Sequence, residues 1–278
     1  MSPAHEQLRL PSLAVLGGGT MGSAVLAGIA QAKVDGEVRV TVRGRGGLDR
    51  RPGVIATALE DDPGANRAAA AGAKIVVVAV KPMLVAEVLR EVADVLDEDA
   101  VVVSLAAGIP LSALRDAVHP VPVARAMPNT PALVGRAVTG LCFGEGVLQR
   151  QRQWLRGLFG TIGTVVETEE ARMDALTAVS GSGPAYVFYL VERFIDAAAR
   201  KGFTAEQARL MVQETFLGAS LLLAQSGEEP AELRRRVTSP KGTTEAAVAV
   251  LESAGLGELF DRVTDAAVAR ARELAQGG

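Results

Sequence analysis

Three glycines spaced Gly17-x-Gly19-x-x-Gly22 follow a short apolar run, Leu13-Ala14-Val15-Leu16, and precede a helical pattern over residues 21–32. In a strand–turn–helix unit the first glycine permits the tight turn. The second lets a phosphate approach the backbone, and the third lets helix and strand pack closely. Unpaired N–H groups at the helix start, with the positive end of its dipole, suit a pyrophosphate. A glycine-rich turn alone is a weak signal, but strand before and helix after argue for a dinucleotide site. A second group of chemistry-bearing residues is Ser239-Pro240-Lys241-Gly242-Thr243-Thr244, which opens an alanine-rich helix. Hydroxyls, a lysine, a permissive glycine and free helix amides meet there, as a small carboxylate requires. Its plain alternative is an N-cap by Thr243 or Thr244.

Other positions join these two. A strand over 38–42 ends in Arg43-Gly44-Arg45, where an NAD enzyme usually places Asp or Glu for the adenosine ribose. A carboxylate there would repel a 2′-phosphate, whereas guanidiniums pair with it, so NADP(H) is expected over NAD(H). A solvated basic loop is the alternative. Asn66 opens an alanine-rich helix, either as its N-cap or as a contact to the adenine ribose. The buried strand 74–80 ends in Lys81-Pro82, at the edge where parallel sheets bind ligands. After a strand over 100–105, Ala106-Ala107-Gly108 leaves room for a flat ring against the backbone. Met127-Pro128-Asn129-Thr130-Pro131 reads as a rigid turn. Ser180-Gly181-Ser182-Gly183-Pro184-Ala185-Tyr186 resembles a nucleophile elbow only superficially. Ser180 stands where that motif needs Gly, and no histidine is at hand as base, so a close-packing helix start is the better reading.

These residues need elements to position them. Strands over 38–42, 74–80, 100–105, 121–126, 137–143 and 163–167 alternate with helical stretches, which argues a doubly wound, Rossmann-type parallel sheet. Beyond it only helical patterns appear, over 170–179, 183–201, 205–226, 230–236, 243–253 and 257–275. The expected division is a dinucleotide-binding domain over 1–167 and an all-α dimerisation and substrate domain over 168–278. The stretch 208–224 is apolar over much of the helix circumference, which suggests packing by a second subunit.

Composition narrows the function. Apolar residues make up 49% and aromatics 4%, so the core is built from Ala, Val and Leu. The net charge is −3 without a basic tract, which argues against nucleic acid as a partner. No run reaches membrane-spanning length without a charge or a turn signal, and residues 1–11 hold no apolar signal core. Cys142 is the only cysteine, which fits a reducing cytoplasm. His5 and His119 are the only histidines, so a metal cluster or a Ser-His-Asp triad is poorly supplied.

Taken together, Gly17-x-Gly19-x-x-Gly22, Ala79-Val80-Lys81-Pro82, Ala106-Ala107-Gly108, Met127 to Pro131, Ser180 to Tyr186 and Ser239 to Thr244 resemble pyrroline-5-carboxylate reductase over about 12–275. The resemblance implies NADPH-dependent reduction of 1-pyrroline-5-carboxylate to L-proline, the last step of proline biosynthesis. It implies cofactor contacts at Leu16, Gly17 and Gly18, dinucleotide phosphates over Gly19, Thr20 and Met21, and a 2′-phosphate at Arg43 or Arg45. Asn66 is implied close to the adenosine ribose. Ala79, Val80, Lys81, Leu105, Ala106 and Ala107 are implied to flank the cofactor further along. The substrate carboxylate is implied on Ser239, Lys241, Gly242, Thr243 and Thr244, with the Thr244 hydroxyl near the ring nitrogen and Glu170 lining the same pocket. Many members carry Gly where this chain has Lys241. The family's helices interleave between two subunits, and several members build decamers from dimers; the sequence does not separate those two states. The rivals are an imine or hydroxyacid reductase of the same domain plan and a non-catalytic NADP(H)-sensing protein. A 6-phosphogluconate- or hydroxyacid-type dehydrogenase needs a lysine on a second-domain helix to take the hydroxyl proton, and the helix after Ser182 carries none before Lys201, which weakens that rival.

Overall fold

The structure, a computed structural model, describes residues 9–30 and 32–277, with side chains through Glu273. His5, and with it most of the N-terminal stretch read for a leader, lies outside the described residues. The chain forms two compact units. One runs through Ser182 and includes residues from Ala267 onward; the other spans Gly183–Ala266.

The first unit is built on β1 (Arg9–Leu16), α1 (Thr20–Ile29), β2 (Lys33–Val42), β3 (Val54–Ala58), α2 (Ala65–Ala70), β4 (Ile75–Val78), α3 (Val85–Val92), β5 (Val101–Ser104), α4 (Leu111–Val118), β6 (Val123–Met127), β7 (Ala137–Phe143), α5 (Gln149–Gly160), β8 (Gly163–Glu167) and the short α6 (Met173–Leu176). The strands form one sheet in the order β3-β2-β1-β4-β5-β6-β7-β8. Chain order reverses between β1 and β4, the crevice where doubly wound sheets bind ligands. Alternate residues of each central strand feed opposite cores. Val15, Val77 and Val103 pack with Val25, Leu155 and Phe159; Leu16, Val78 and Val102 pack with Leu89, Leu114 and Val118. Both faces are covered, so these strands are apolar along their whole length rather than alternating.

Three features were not read from the sequence. β3 is an edge strand paired only with β2, and Val54-Ile55-Ala56-Thr57-Ala58 is too short to carry a clear period. α4 buries only Leu114 and Val118, a stripe too narrow to stand out. β6 and β7 run antiparallel. Between them lies only the 3₁₀ segment Thr130–Val134, which ends at Gly135 with φ +68°, and so short a link leaves no room for a parallel crossover.

The second unit holds α7 (Gly183–Ala199), α8 (Ala205–Ser226), α9 (Pro230–Arg236), α10 (Thr243–Ser253) and α11 (Leu256–Gly277), the last continuing past Ala266. α8 starts at a reciprocal cap. The Thr204 hydroxyl accepts from Gln207 N at 3.2 Å, and Gln207 Oε1 accepts from Thr204 N at 3.0 Å. It ends at Gly227, in the left-handed conformation such an end favours. These helices bury little: none of α7 or α10 is buried, and only Ala208 and Val212 of α8 are. Phe188, Phe194, Leu217, Leu222 and Val250 are all exposed. Among the described residues no helix is long and apolar enough to cross a membrane.

Candidate functional site

The glycine turn between β1 and α1 is shaped by three different constraints. Gly17 has φ +105°, and a Cβ there would lie 2.9 Å from Ala79 O. A Cβ on Gly22 would lie 2.2 Å from Gly17 O, so only glycine lets α1 pass that close. Around Gly19 a Cβ would meet nothing within 4 Å, which leaves an open cradle. Gly17 N and Gly18 N are already spent, both donating to Thr41 O, at 3.2 and 2.7 Å. The first bond of α1 runs from Ser23 N to Gly19 O, at 2.8 Å. The amides of Thr20, Met21 and Gly22 precede it and have no partner within the helix. An open glycine beside free first-turn amides fits the pyrophosphate of a dinucleotide.

A cleft of about 730 Å³ opens at this turn. Gly17, Gly18, Gly19, Arg43, Asn66, Ala79, Val80 and Lys81 all line it. Leu16 ends β1 as a fully buried residue, while Thr20 and Met21 open α1. Leu105, Ala106 and Ala107 follow β5, and Leu105 N donates to Val78 O at 2.9 Å, continuing the same sheet edge. The volume is in the range that buries most of a small ligand.

The two arginines after β2 are distinct. Arg43 lines the cleft, is exposed, and has no side-chain hydrogen bond or ion pair among the described residues. The Arg45 guanidinium is paired with Asp61, and its backbone N donates to Glu60 Oε1 at 2.6 Å. The pairing with Arg45 holds the Asp61 carboxyl below the usual carboxylate range. Asn66 is not the N-cap of α2: Gly64 holds that position, and Asn66 sits in the first turn, buried. Its Oδ1 accepts from Thr41 Oγ1 at 2.8 Å, and its Nδ2 donates to Glu91 Oε2 at 2.9 Å. Lys81 is exposed and precedes the 3₁₀ turn at Pro82–Leu84.

Two sequence motifs prove to be joined. Asn129, buried, accepts from Val138 N through Oδ1 and donates to Ser180 O through Nδ2, both at 2.9 Å. The Ser180 segment is a π-helical turn, Thr177–Gly181, closed by Ser182 N donating to Thr177 O at 2.8 Å. The Ser180 hydroxyl donates to Leu176 O at 3.0 Å. Glu170 is committed elsewhere: its Oε1 accepts from Leu111 N, at the start of α4, at 2.6 Å and from Arg125 Nη1 at 3.0 Å. Beside it the Cys142 thiol is pushed up by burial, with the Glu170 charge adding and Arg125 opposing.

In the second unit, Ser239 O accepts from Gly242 N at 2.9 Å, closing a β-turn with Pro240 and Lys241 at its corners. Lys241 has φ +60°, the left-handed region that glycine adopts without penalty. Its backbone N donates to Glu245 Oε2 at 2.7 Å, a role for that carboxylate that the sequence does not announce. Gly242 is the N-cap of α10, with no side-chain cap bond, so neither threonine caps the helix. Thr243, exposed, and Thr244, half-buried, are its first residues; their amides and that of Glu245 lack intrahelical partners. Nearby in sequence, Arg236 is held by Glu228 at 2.7 Å and Glu232 at 3.2 Å.

Comparison with known proteins adds the following. Residues 12–108 match a family model described as NADP oxidoreductase, coenzyme F420-dependent, and residues 170–274 one described as pyrroline-5-carboxylate reductase dimerisation. The chain is 38% identical to the pyrroline-5-carboxylate reductase of Corynebacterium melassecola, over 95% of this chain and 99% of that one. A pyrroline-5-carboxylate reductase from Coxiella burnetii superposes with a TM-score of 0.88 at 37% identity, covering 95% and 98% of the two chains. The Plasmodium falciparum pyrroline carboxylate reductase with NADP bound gives 0.80 at 26% identity, covering 95% and 98%.

Proposed function

The chain belongs to the pyrroline-5-carboxylate reductase family and reduces 1-pyrroline-5-carboxylate to proline as an NADP-type oxidoreductase, and on that premise we propose how its residues divide the work. NADPH, when bound, supplies the hydride. The amides after Gly19, at Thr20 and Met21, hold the pyrophosphate. Arg43 takes the 2′-phosphate, which favours NADP(H) over NAD(H); Arg45, already paired with Asp61, contributes less. Asn66 stands by the adenosine ribose. Ala79, Val80 and Lys81, which line the cleft, with Leu105, Ala106 and Ala107 after β5, give an edge for the rest of the cofactor, and the fully buried Leu16 backs that edge from the end of β1. The observation that carries this reading is the open cradle at Gly19, beside free helix amides and the unpaired Arg43.

The Ser239–Thr244 turn takes the substrate carboxylate. Gly242 N is bound to Ser239 O and Lys241 N to Glu245, so the amides of Thr243, Thr244 and Glu245 are the donors left. The Lys241 ammonium adds charge, and the Ser239 hydroxyl is at hand. The Thr244 hydroxyl orients the ring N–H. A protonated imine accepts hydride without a strong general acid, so positioning carries the rate, a contribution on the order of 7–11 kcal/mol in favourable cases. Glu170 is spent on Arg125 and on the start of α4, so its part in this reading is to brace those groups rather than to offer a free carboxylate.

By function we divide the chain into 1–167 for the cofactor and 168–278 for dimerisation and substrate; the compact units instead break between Ser182 and Gly183, with residues from Ala267 onward in the first. The exposed apolar faces of α7, α8 and α10 support a homodimer, with decamers of such dimers the larger form known from the resemblance. A lone cysteine supports a cytoplasmic setting. The experiment is direct: NADPH absorbance is followed on adding 1-pyrroline-5-carboxylate, and proline is quantified. One proline formed per NADPH oxidised is expected. NADPH binding without imine-dependent oxidation would sink the reading in favour of a sensor.

A further inference from the structure

The floor of the nucleotide cleft contains a polar chain that the reaction itself does not call for. Thr41 and Asn66 are 1% and 4% exposed, in an otherwise apolar setting, and both line the cleft with Glu91 of α3. Starting from Glu91, the bonds run Asn66 Nδ2 to Glu91 Oε2 at 2.9 Å, Thr41 Oγ1 to Asn66 Oδ1 at 2.8 Å, and Gly17 N to Thr41 Oγ1 at 3.3 Å, the last sharing its N–H with the 3.2 Å bond to Thr41 O so that both acceptors of Thr41 grip Gly17.

The direction of these bonds is dictated from one end. An ionised carboxylate only accepts, so Asn66 must turn its NH₂ to Glu91 and its oxygen to Thr41. Thr41 must then spend its proton on Asn66, which leaves a lone pair facing Gly17 N. With the amide reversed, two acceptors would meet at Glu91. The Thr41 hydroxyl would then face donors on both sides, and a buried group would be left unsatisfied.

We propose that Glu91 is a positioning residue for cofactor binding: it fixes the Asn66 amide, sets the direction of the Glu91–Asn66–Thr41 relay, and so holds Gly17 inward with the glycine turn in its phosphate-accepting form. The proposal rests on the reading of this cleft as the nucleotide site. It makes Glu91 and Thr41, on elements 50 residues apart in sequence, parts of one device.

The test is a charge exchange. Asn66→Asp sets two carboxylates against each other and is expected to raise the NADPH Kd about 30-fold, within the range for an unsatisfied buried polar group. Glu91→Gln keeps an acceptor facing Asn66 and moves Kd about threefold or less. In the double variant the amide introduced at position 91 can donate to the carboxylate introduced at position 66, which still accepts from Thr41, so Kd returns to within about fivefold of the parent. The KM for the imine stays within about twofold throughout, a selectivity that general loosening of the fold would not give. A double variant binding no tighter than Asn66→Asp overturns the proposal. Should Asn66→Asp fail to fold, a cycle of Glu91→Ala with Thr41→Val decides: the relay predicts a double variant about as weak as the weaker single, and full additivity contradicts it. Every arm reads NADPH binding directly. An enzyme that binds NADPH without reducing the imine would therefore refute the proposed function and leave the relay standing.

Discussion

The nucleotide cleft and the Ser239–Thr244 turn both use the amino end of a helix, yet they are finished to different degrees. Behind the cleft stand fully buried strands and a floor of bonded polar groups, Thr41, Asn66 and Glu91. Around the turn the residues are exposed or half-buried, and α10 buries none of its own. The first site is organised by a single chain, and its geometry is set before any ligand arrives. The second belongs to helices whose large side chains, among them Phe188, Leu217 and Val250, still face outward. Each large apolar side chain of that kind stabilises an assembly by about 1.5–3 kcal/mol when covered. Cofactor recognition should therefore survive changes that abolish turnover.

The strongest way to break this contrast is to charge the open face. Phe188→Glu should yield monomers by light scattering and lower kcat/KM for the imine by about 100-fold or more, as loss of an interface anchor does. The NADPH Kd should stay within about threefold. A fully active monomer would show that the helical unit needs no second copy. Within the finished site, two glycines sharpen the point. Gly22→Ala forces a Cβ into Gly17 O and should cost about 2–3 kcal/mol of stability in a chemical melt. Gly19→Ala has open space, so stability should hold while the NADPH Kd rises about tenfold, because the methyl fills the phosphate cradle. Unchanged binding in Gly19→Ala would remove the cradle from the account of this cleft.

A comparison of the two cofactors separates the arginines. Arg43→Ala should lower kcat/KM with NADPH about 30-fold and leave NADH turnover unaltered, whereas Arg45→Ala should cost less than about threefold. Equal losses would mean that Asp61 releases Arg45 when the cofactor binds. The smallest effect concerns Lys241. A left-handed lysine costs about 1–2 kcal/mol, offset by the roughly 0.5–1 kcal/mol of entropy that glycine loses on folding. Lys241→Gly should thus stabilise by about 0.5 kcal/mol, and the KM for the imine acid should rise about threefold as the ammonium is lost.

Legibility followed the range of the constraint. The glycine turn was readable because the roles of Gly17, Gly19 and Gly22 are settled within six consecutive residues and their flanking elements. The near-continuous apolar runs of β4 and β5 announced a sheet covered on both faces. The partnership of Asn66 with Glu91 and Thr41 was hidden, since each bond spans 25 residues and depends on which strands neighbour each other. The commitment of Glu170 to Arg125 and Leu111 was hidden for the same reason. Lys241 was legible as unusual, but its left-handed backbone and the reach of Glu245 back to its amide belong to the turn's three-dimensional form.

The division of labour between the two regions is tested most directly by Thr244→Ala, measured as kcat/KM for 1-pyrroline-5-carboxylate alongside the NADPH Kd. A loss of about 30-fold in the first with less than about twofold change in the second is the expected result. A parallel loss in both, or none in either, would contradict it.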